Sequence, residues 1–258
     1  MILLSFDIEE FDMAFEYGKK ISFKDQINLS ITGTNHILDL LKKHNFKATF
    51  FSTATFAIHA PTIIARIKNE GHELASHSYY HSKFDVKDLK NAKEKLEELF
   101  GENVYGFRMP RMMPVDEIEI EKAGYLYNSS INPTWLPGRY NNLHIKRTHF
   151  KQGNVLQLPA SVSTFFRIPL FWLSFHNFPQ WFYRFLVKKA IQRDKYLNVY
   201  FHPWEFTDLS DKERFGFPDY VIKNSGLLMV SRMDNFLAWL NKQNYKNSTI
   251  YDFVKMII

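Results

Sequence analysis

Two histidines four residues apart, in Ala75-Ser-His77-Ser-Tyr-Tyr-His81, are the first residues in this chain whose types and spacing suggest chemistry. If the segment is helical, both fall on one face with Cβ atoms about 6 Å apart, close enough for two imidazole nitrogens to meet one metal ion at about 2.0–2.1 Å. A carboxylate cluster, Asp7-Ile8-Glu9-Glu10, follows an apolar run near the start of the chain. Two histidines and a carboxylate are a common ligand set of catalytic zinc and related ions, and leave a coordination position open for water. Histidines on a helix face are more often solvated or satisfied by neighbours, so the carboxylates carry much of the inference.

For such residues to meet, elements far apart in the chain must deliver them to one place. Residues 2–7 form a short apolar run ending in acid, the pattern of a buried parallel strand with Asp7 at its C-terminal end. Residues 8–24 read as loop and Leu29 to His44 as a helix, closed by Lys42, Lys43 and His44. Ala48 to Ser52 reads as a strand, Pro61 to Asn69 as a helix stopped at Gly71, and His72 to Ala75 as a strand that delivers His77. Asp85 to Phe100 has helical apolar spacing, and Tyr105 to Phe107 is a strand leading to Arg108. A short helix over 114–123, a strand from Gly124 to Tyr127 and a loop from Asn128 to Trp135 come next. Val155 to Leu158 and Leu197 to Phe201 are further strands, the second delivering His202, and Leu227 to Leu240 and Thr249 to Met256 are terminal helices. This alternation predicts a single α/β domain over 1–258, a distorted (β/α) barrel of about seven parallel strands. An aromatic-rich insertion is expected at about 160–190, and terminal helices after 226. Asp7, His77, Arg108, Asn128 and His202 all stand just after strands, where a barrel gathers side chains at one mouth.

Composition narrows the function classes. The 258 residues are 45% hydrophobic and 23% charged, with formal charge +6 and no long basic run, so nucleic acid is a poor candidate partner. The chain has no cysteine, which removes thiol chemistry and disulfides. Met1 to Phe6 is too short for the apolar part of a signal peptide and lacks preceding basic residues, which points to a cytoplasmic protein. The 25 Phe, 13 Tyr and 5 Trp suit a protein that handles sugars or apolar chains. From Phe165 to Lys189, Phe and Trp stand beside Arg184, Lys188 and Lys189, as in an element that touches an anionic membrane face or a lipid-linked glycan; a buried helix with a packed loop is the plainer alternative.

Five motifs, in order, resemble those of the polysaccharide deacetylase family, carbohydrate esterase family four, over residues 2 to about 205. Ser5-Phe-Asp-Ile-Glu9 is similar to the first motif, and the resemblance implies Asp7 as base and Glu9 as metal ligand, with Glu10 a substitute. His77-Ser-Tyr-Tyr-His81 resembles the second, the metal histidines, and Arg108-Met-Pro-Arg111 the third, whose arginine orients the base. Asn128 to Trp135 is similar to the fourth, and Tyr200-Phe-His202 to the fifth, whose histidine is the general acid. Asn128 stands where most members have an aspartate that pairs with that histidine; an amide orients His202 without charge, so either an acid such as Glu205 supplies it or His202 is a weaker acid than usual. Trp135, Phe201, Trp204, Tyr80 and Arg111 are the expected substrate contacts, although each of Trp135, Phe201 and Trp204 reads equally as a core aromatic. The implied activity is metal-dependent removal of N-acetyl groups from a sugar or glycan in capsule, exopolysaccharide or lipid-linked glycan synthesis, at the cytoplasmic membrane face. One divalent ion is expected, zinc first, with Co, Ni, Fe or Mn as substitutes. Hydrolysis of a small non-sugar amide or ureide and a catalytically silent carbohydrate-binding protein are the competing readings. Retention of the base, both histidines, Arg108 and His202 argues against silence.

Overall fold

The computed structural model describes residues 1–258. Strand β1 (Ile2–Ile8) is buried along its whole length, as a strand covered on both faces must be. Helix α1 (Phe23–His44) returns the chain, started by Ser22, whose hydroxyl accepts from the Asp25 amide, and stopped by Asn45 in the left-handed region. It begins six residues before the apolar spacing announces it, because the cap and not the periodicity sets its start. Strand β2 (Thr49–Ser52), helices α2 (Ala54–His59) and α3 (Pro61–Asn69), strand β3 (Glu73–Ser76), helix α4 (Lys87–Phe100) and strand β4 (Gly106–Phe107) continue the alternation. Helix α5 (Glu117–Lys122) leads to strand β5 (Tyr127–Asn128).

The loop expected after Asn128 contains a small hairpin, β6 (Trp135–Leu136) and β7 (Tyr140–Asn141), closed where the Arg139 amide donates to the Leu136 carbonyl. Pro137-Gly138, with Gly138 at φ 79°, supplies the turn. A second hairpin, β8 (Phe150–Gln152) and β9 (Val155–Gln157), precedes helices α6 (Trp172–Asn177) and α7 (Gln180–Asp194) and strand β10 (Leu197–Phe201). Short helices α8 (Lys212–Phe215) and α9 (Asp219–Ile222) and helix α10 (Leu227–Lys242) follow, then strand β11 (Asn247–Ser248) and helix α11 (Ile250–Lys255).

The main sheet has the order β10-β1-β2-β3-β4-β5-β9-β8, with β11 beside β1. Seven strands from β10 to β9 run parallel, and β8 is antiparallel at the edge. No ladder joins β10 to β9, so the sheet is a curled, open barrel. Its two sides are laced through Asn198: its backbone pairs with Ser161, and its side-chain amide donates to the Leu158 and Pro159 carbonyls.

Strand parity decides what each face carries, because successive side chains point to opposite sides. Leu3, Phe51, Ala75, Tyr127 and Leu156 pack together on the concave face, plugged by Ile250, Phe253 and Val254 of α11. Ile2, Leu4, Phe6, Phe50, Leu74, Phe107, Val199 and Phe201 face the helices, in a core of 43 buried residues. Asp7, His77, Arg108 and His202 carry the parity of the concave face. Asn128 and Phe201 carry the other.

The aromatic insertion is neither wholly buried nor wholly exposed. Phe175 and Tyr183 sit in the core, whereas Phe165 and Phe166 are 83% and 86% exposed and Trp181 72% exposed. No helix is long and apolar enough to cross a membrane.

Candidate metal centre and acid–base site

His77 and His81 converge without a helix. Strand β3 ends at Ser76, Ser78 turns the chain at φ 68°, and the two rings lie 5.8 Å apart at 24°. The pair is therefore made by a strand end and a turn, correcting the expected helical face. The Nε2 atoms of His77 and His81 lie 3.1 and 3.3 Å from Glu9 Oε2. These three residues are one group able to share an ion, their donor atoms within 4.8 Å of one another. Glu9 Oε2 is buried and receives no hydrogen bond, neither imidazole being aligned to give one. Donors about 2.1 Å from one tetrahedral ion lie about 3.4 Å apart, close to the separations found.

The rings are held from behind. His77 Nδ1 is 2.9 Å from the Arg108 carbonyl, which can only accept, so Nδ1 carries the proton and Nε2 keeps its lone pair. His81 Nδ1 is 2.7 Å from Asp12 Oδ1, the carboxylate–histidine arrangement that orients metal ligands. Burial opposes a charge on His81, but Glu9 and Asp12 outweigh it and lift the imidazole to about 9. Positive charge is thus drawn to this point. A divalent ion fits the donor set and the field. Glu10 does not compete with Glu9: one of its oxygens accepts from the His81 amide at 2.9 Å and the other from Thr53 Oγ1 at 2.7 Å.

Beside this group stands Asp7, whose Oδ1 is 2.5 Å from Arg108 Nη1. Arg108 is fully buried and spends its other donors on Ser5 Oγ, Ser129 Oγ and the Ser129 carbonyl, while its guanidinium lies over the Phe51 and Tyr200 rings at 4.0 and 4.9 Å. Burial works against the Asp7 charge, but Arg108, His77 and His202 prevail and hold its pKa below the ordinary carboxylate range. Asp7 is an ionised acceptor with one oxygen, Oδ2, turned toward His202 Nε2 at 3.9 Å.

His202 begins a tight turn, Pro203–Phe206. Its Nδ1 is 3.0 Å and its backbone N–H 2.6 Å from the same oxygen of Glu205. Burial would lower the His202 pKa, yet the Glu205 contact, helped by Asp7 and Glu9, leaves it raised. The Trp204 ring stacks on His202 at 5.2 Å.

Several expected contacts are placed otherwise. Asn128 does not orient His202: its amide donates to Gln157 Oε1 at 2.9 Å and its oxygen accepts from Ser130, both on the helix-facing side that its parity dictates. Glu205 takes that role. Phe201 packs among Phe6 and Phe175 and Trp204 against Phe11 and Trp172, so neither walls a substrate. Trp135 is 60% exposed on its hairpin. Tyr80 is half-buried under the Lys83 ammonium at 4.1 Å. The Arg111 guanidinium is engaged by Asp12 at 3.2 Å and Glu16 at 2.5 Å, so it braces His81's carboxylate partner. Arg111 and Met112 both adopt positive φ, a strained pair of a kind that collects at functional sites.

Sequence reasoning missed Asp12, His176 and Tyr200. Asp12 was visible as the last acid of Asp7-Ile-Glu-Glu-Phe-Asp12, and Tyr200 by its parity with His202. Nothing local marked His176.

Residues 15–127 match the family model described as polysaccharide deacetylase. That span includes His77, His81 and Arg108 and leaves Asp7, Glu9 and His202 outside it. The chain is 38% identical over 100 residues to a peptidoglycan-N-acetylglucosamine deacetylase of Bacillus cereus, 36% of this chain and 36% of that protein. It spans about a third of the length of the curated relatives it matches. Among solved structures, a probable polysaccharide deacetylase of Pseudomonas aeruginosa PAO1 superposes with a TM-score of 0.64 at 16% identity, over 98% of this chain and 90% of that one. An allantoinase superposes with a TM-score of 0.59 at 16% identity, over 93% and 84%. At such identities the likeness is one of fold.

Proposed function

We propose that the chain is a polysaccharide deacetylase and that it hydrolyses the N-acetyl group of an N-acetylated sugar or glycan with the help of one divalent ion; the match of residues 15–127 to that family's model supports the reading. The observation that carries this is the buried, unbonded Glu9 Oε2 facing the Nε2 atoms of His77 and His81. Glu9, His77 and His81 would hold the ion, with zinc as the first choice and Co, Ni, Fe or Mn as alternatives. When bound, it supplies Lewis acidity that polarises the acetamide carbonyl and acidifies water.

The protein's own groups do the rest. Asp7, kept ionised by Arg108, accepts the proton of the attacking water. Arg108 is fixed by four hydrogen bonds, so it sets the direction of the Asp7 carboxylate instead of following it. His202, its Nδ1–H given to Glu205, presents Nε2 and delivers a proton to the departing amine nitrogen. The proton leaving water and the proton reaching the amine balance, giving acetate and a free amine. Trp135, on the exposed hairpin, is the contact proposed for the sugar.

Purified protein loaded with each metal in turn, incubated with N-acetylglucosamine oligomers, N-acetylmuramic-acid glycans and allantoin, tests the proposal by acetate release from the glycans or by hydrolytic ring opening of allantoin to its open-chain acid. Turnover of allantoin alone would replace the glycan reading with the ureide one. Binding of glycan with no release under any metal would make this a silent member.

We also propose peripheral contact with an anionic membrane from the cytoplasmic side. Helix α7 exposes Trp181 and Phe185 one turn apart and continues the same face with Lys188 and Lys189. Fractionation that recovers the protein outside the cell would overturn it.

A further inference from the structure

We propose that His176 is a positioning residue for His202, acting through Glu205, so that three side chains from two separate segments set the general acid. The inference rests on the deacetylase reading only for what His202 does.

Glu205 is fully buried, and an isolated carboxylate is not tolerated there. His176, also fully buried on α6, places Nε2 2.8 Å from Glu205 Oε2, while Glu205 Oε1 accepts both the backbone N–H and the Nδ1–H of His202. Each oxygen therefore has its own donor. The carboxylate cannot rotate about its last bond without breaking both sides at once, and this fixes Nδ1 of His202 as the protonated nitrogen.

His176 makes no other side-chain hydrogen bond, its Nδ1 having no partner. It stands among aromatics: Trp172 lies 6.0 Å from both His176 and His202, and Trp204 6.4 and 5.2 Å from them. A phenylalanine would pack there equally well and would leave no bare nitrogen in the core. The Nε2 contact is what an imidazole adds at this position. Besides Glu205 and His176, the titratable groups facing His202 are Asp7 from β1, Glu9 just after that strand and Tyr200 from β10.

Donation from His176 withdraws charge from Glu205. Without it, the Glu205–His202 pair holds its last proton more tightly, whichever residue carries it, and the pKa of the pair rises.

His176→Gln keeps a donor near the Nε2 position, His176→Asn has the same chemistry but falls short of Oε2, and His176→Phe keeps the ring alone. For the full-length protein we expect wild type and His176→Gln to share a His202 titration, followed by ¹⁵N-histidine resonances. The Asn and Phe variants should titrate about one pH unit higher and lose about tenfold to hundredfold in kcat/KM, as for groups that orient a catalytic residue. Their alkaline limb should move up by the same amount. If Asn and Phe lower only the unfolding temperature and leave the His202 titration in place, His176 is packing and the proposal falls. If the titration moves while even wild type releases no acetate, the positioning stands and the deacetylase reading fails. The Asn and Gln pair keeps the test decisive should Phe not fold.

Discussion

Gly33→Ala is the perturbation that opposes two well-known effects most directly. Gly33 lies within α1, where glycine costs about 1 kcal/mol relative to alanine, so propensity alone predicts a more stable protein. A Cβ built at Gly33, however, would stand 1.9 Å from the Pro203 carbonyl oxygen and 2.5 Å from its carbon. Ordinary contact begins at 3.4 Å, so helix and turn must part by about the difference, 1.5 Å, and the obstacle is backbone that no rotamer change relieves. Overpacking of this kind typically costs about 1–3 kcal/mol, which offsets the propensity gain of about 1 kcal/mol and leaves a net loss of up to about 2 kcal/mol. At this chain length that lowers Tm by up to roughly 8 °C. The functional effect should be larger. Pro203 follows His202 directly, and a displacement of about 1 Å at a catalytic group can cost about 10²-fold. Thermal unfolding and kcat/KM for acetate release, measured on the same preparation, check both halves. A Gly33→Ala protein with raised Tm and unchanged kcat/KM would show that α1 does not press on the His202 turn.

Glu9→Gln, or His77→Ala with His81→Ala, should abolish stoichiometric metal in elemental analysis, whereas Glu10→Gln should keep the ion, because both Glu10 oxygens are already occupied. Asp7→Asn should retain metal and lose about 10²–10⁴-fold in kcat; loss of the ion instead would reverse the roles of Asp7 and Glu9. His202 has a raised pKa, so its imidazolium persists above the usual value of about 6.5 and is lost only as pH climbs past the folded value. Glu205→Gln removes the opposing charge and leaves burial unopposed, so the alkaline limb of kcat/KM should move to lower pH; an upward move would break the proposed pair. Trp181→Ser with Phe185→Ser should reduce sedimentation with phosphatidylglycerol vesicles at low salt, and equal recovery with phosphatidylcholine vesicles would remove the electrostatic part of that proposal.

The strand–helix alternation was legible because each strand is a short apolar run bounded by polar residues, and seven parallel strands follow from it. What escaped were elements whose cause is local and brief. Helix α2 is six residues, set by Thr53, whose hydroxyl accepts from the Phe56 amide, and too short to show a period. The β6–β7 hairpin is carried by one Pro-Gly turn. In the insertion, apolar content indicated an unusual segment but could not say which aromatics turn inward, since α7 buries Tyr183 and Val187 and exposes Trp181 and Phe185.

At the site, legibility followed a simple geometric line. Residues that act at the end of a strand on the concave face could be found by type and position: Asp7, His77, Arg108 and His202 meet within one cluster of contacts. Where the expectation failed, parity had been left out. Asn128 follows Tyr127, whose ring fills the concave face, so its own side chain must turn to the helices and cannot reach His202. Phe201 precedes His202 and fails as a substrate contact for the same reason. The charge missing from Asn128 is restored three residues beyond His202, by a glutamate whose second oxygen is claimed by a histidine 29 residues earlier in the chain. A motif reports which residue stands at a strand end; the partner that fixes its proton can come from any element packed behind it, and here that element is α6, whose His176 carries no pattern until the fold brings it to Glu205.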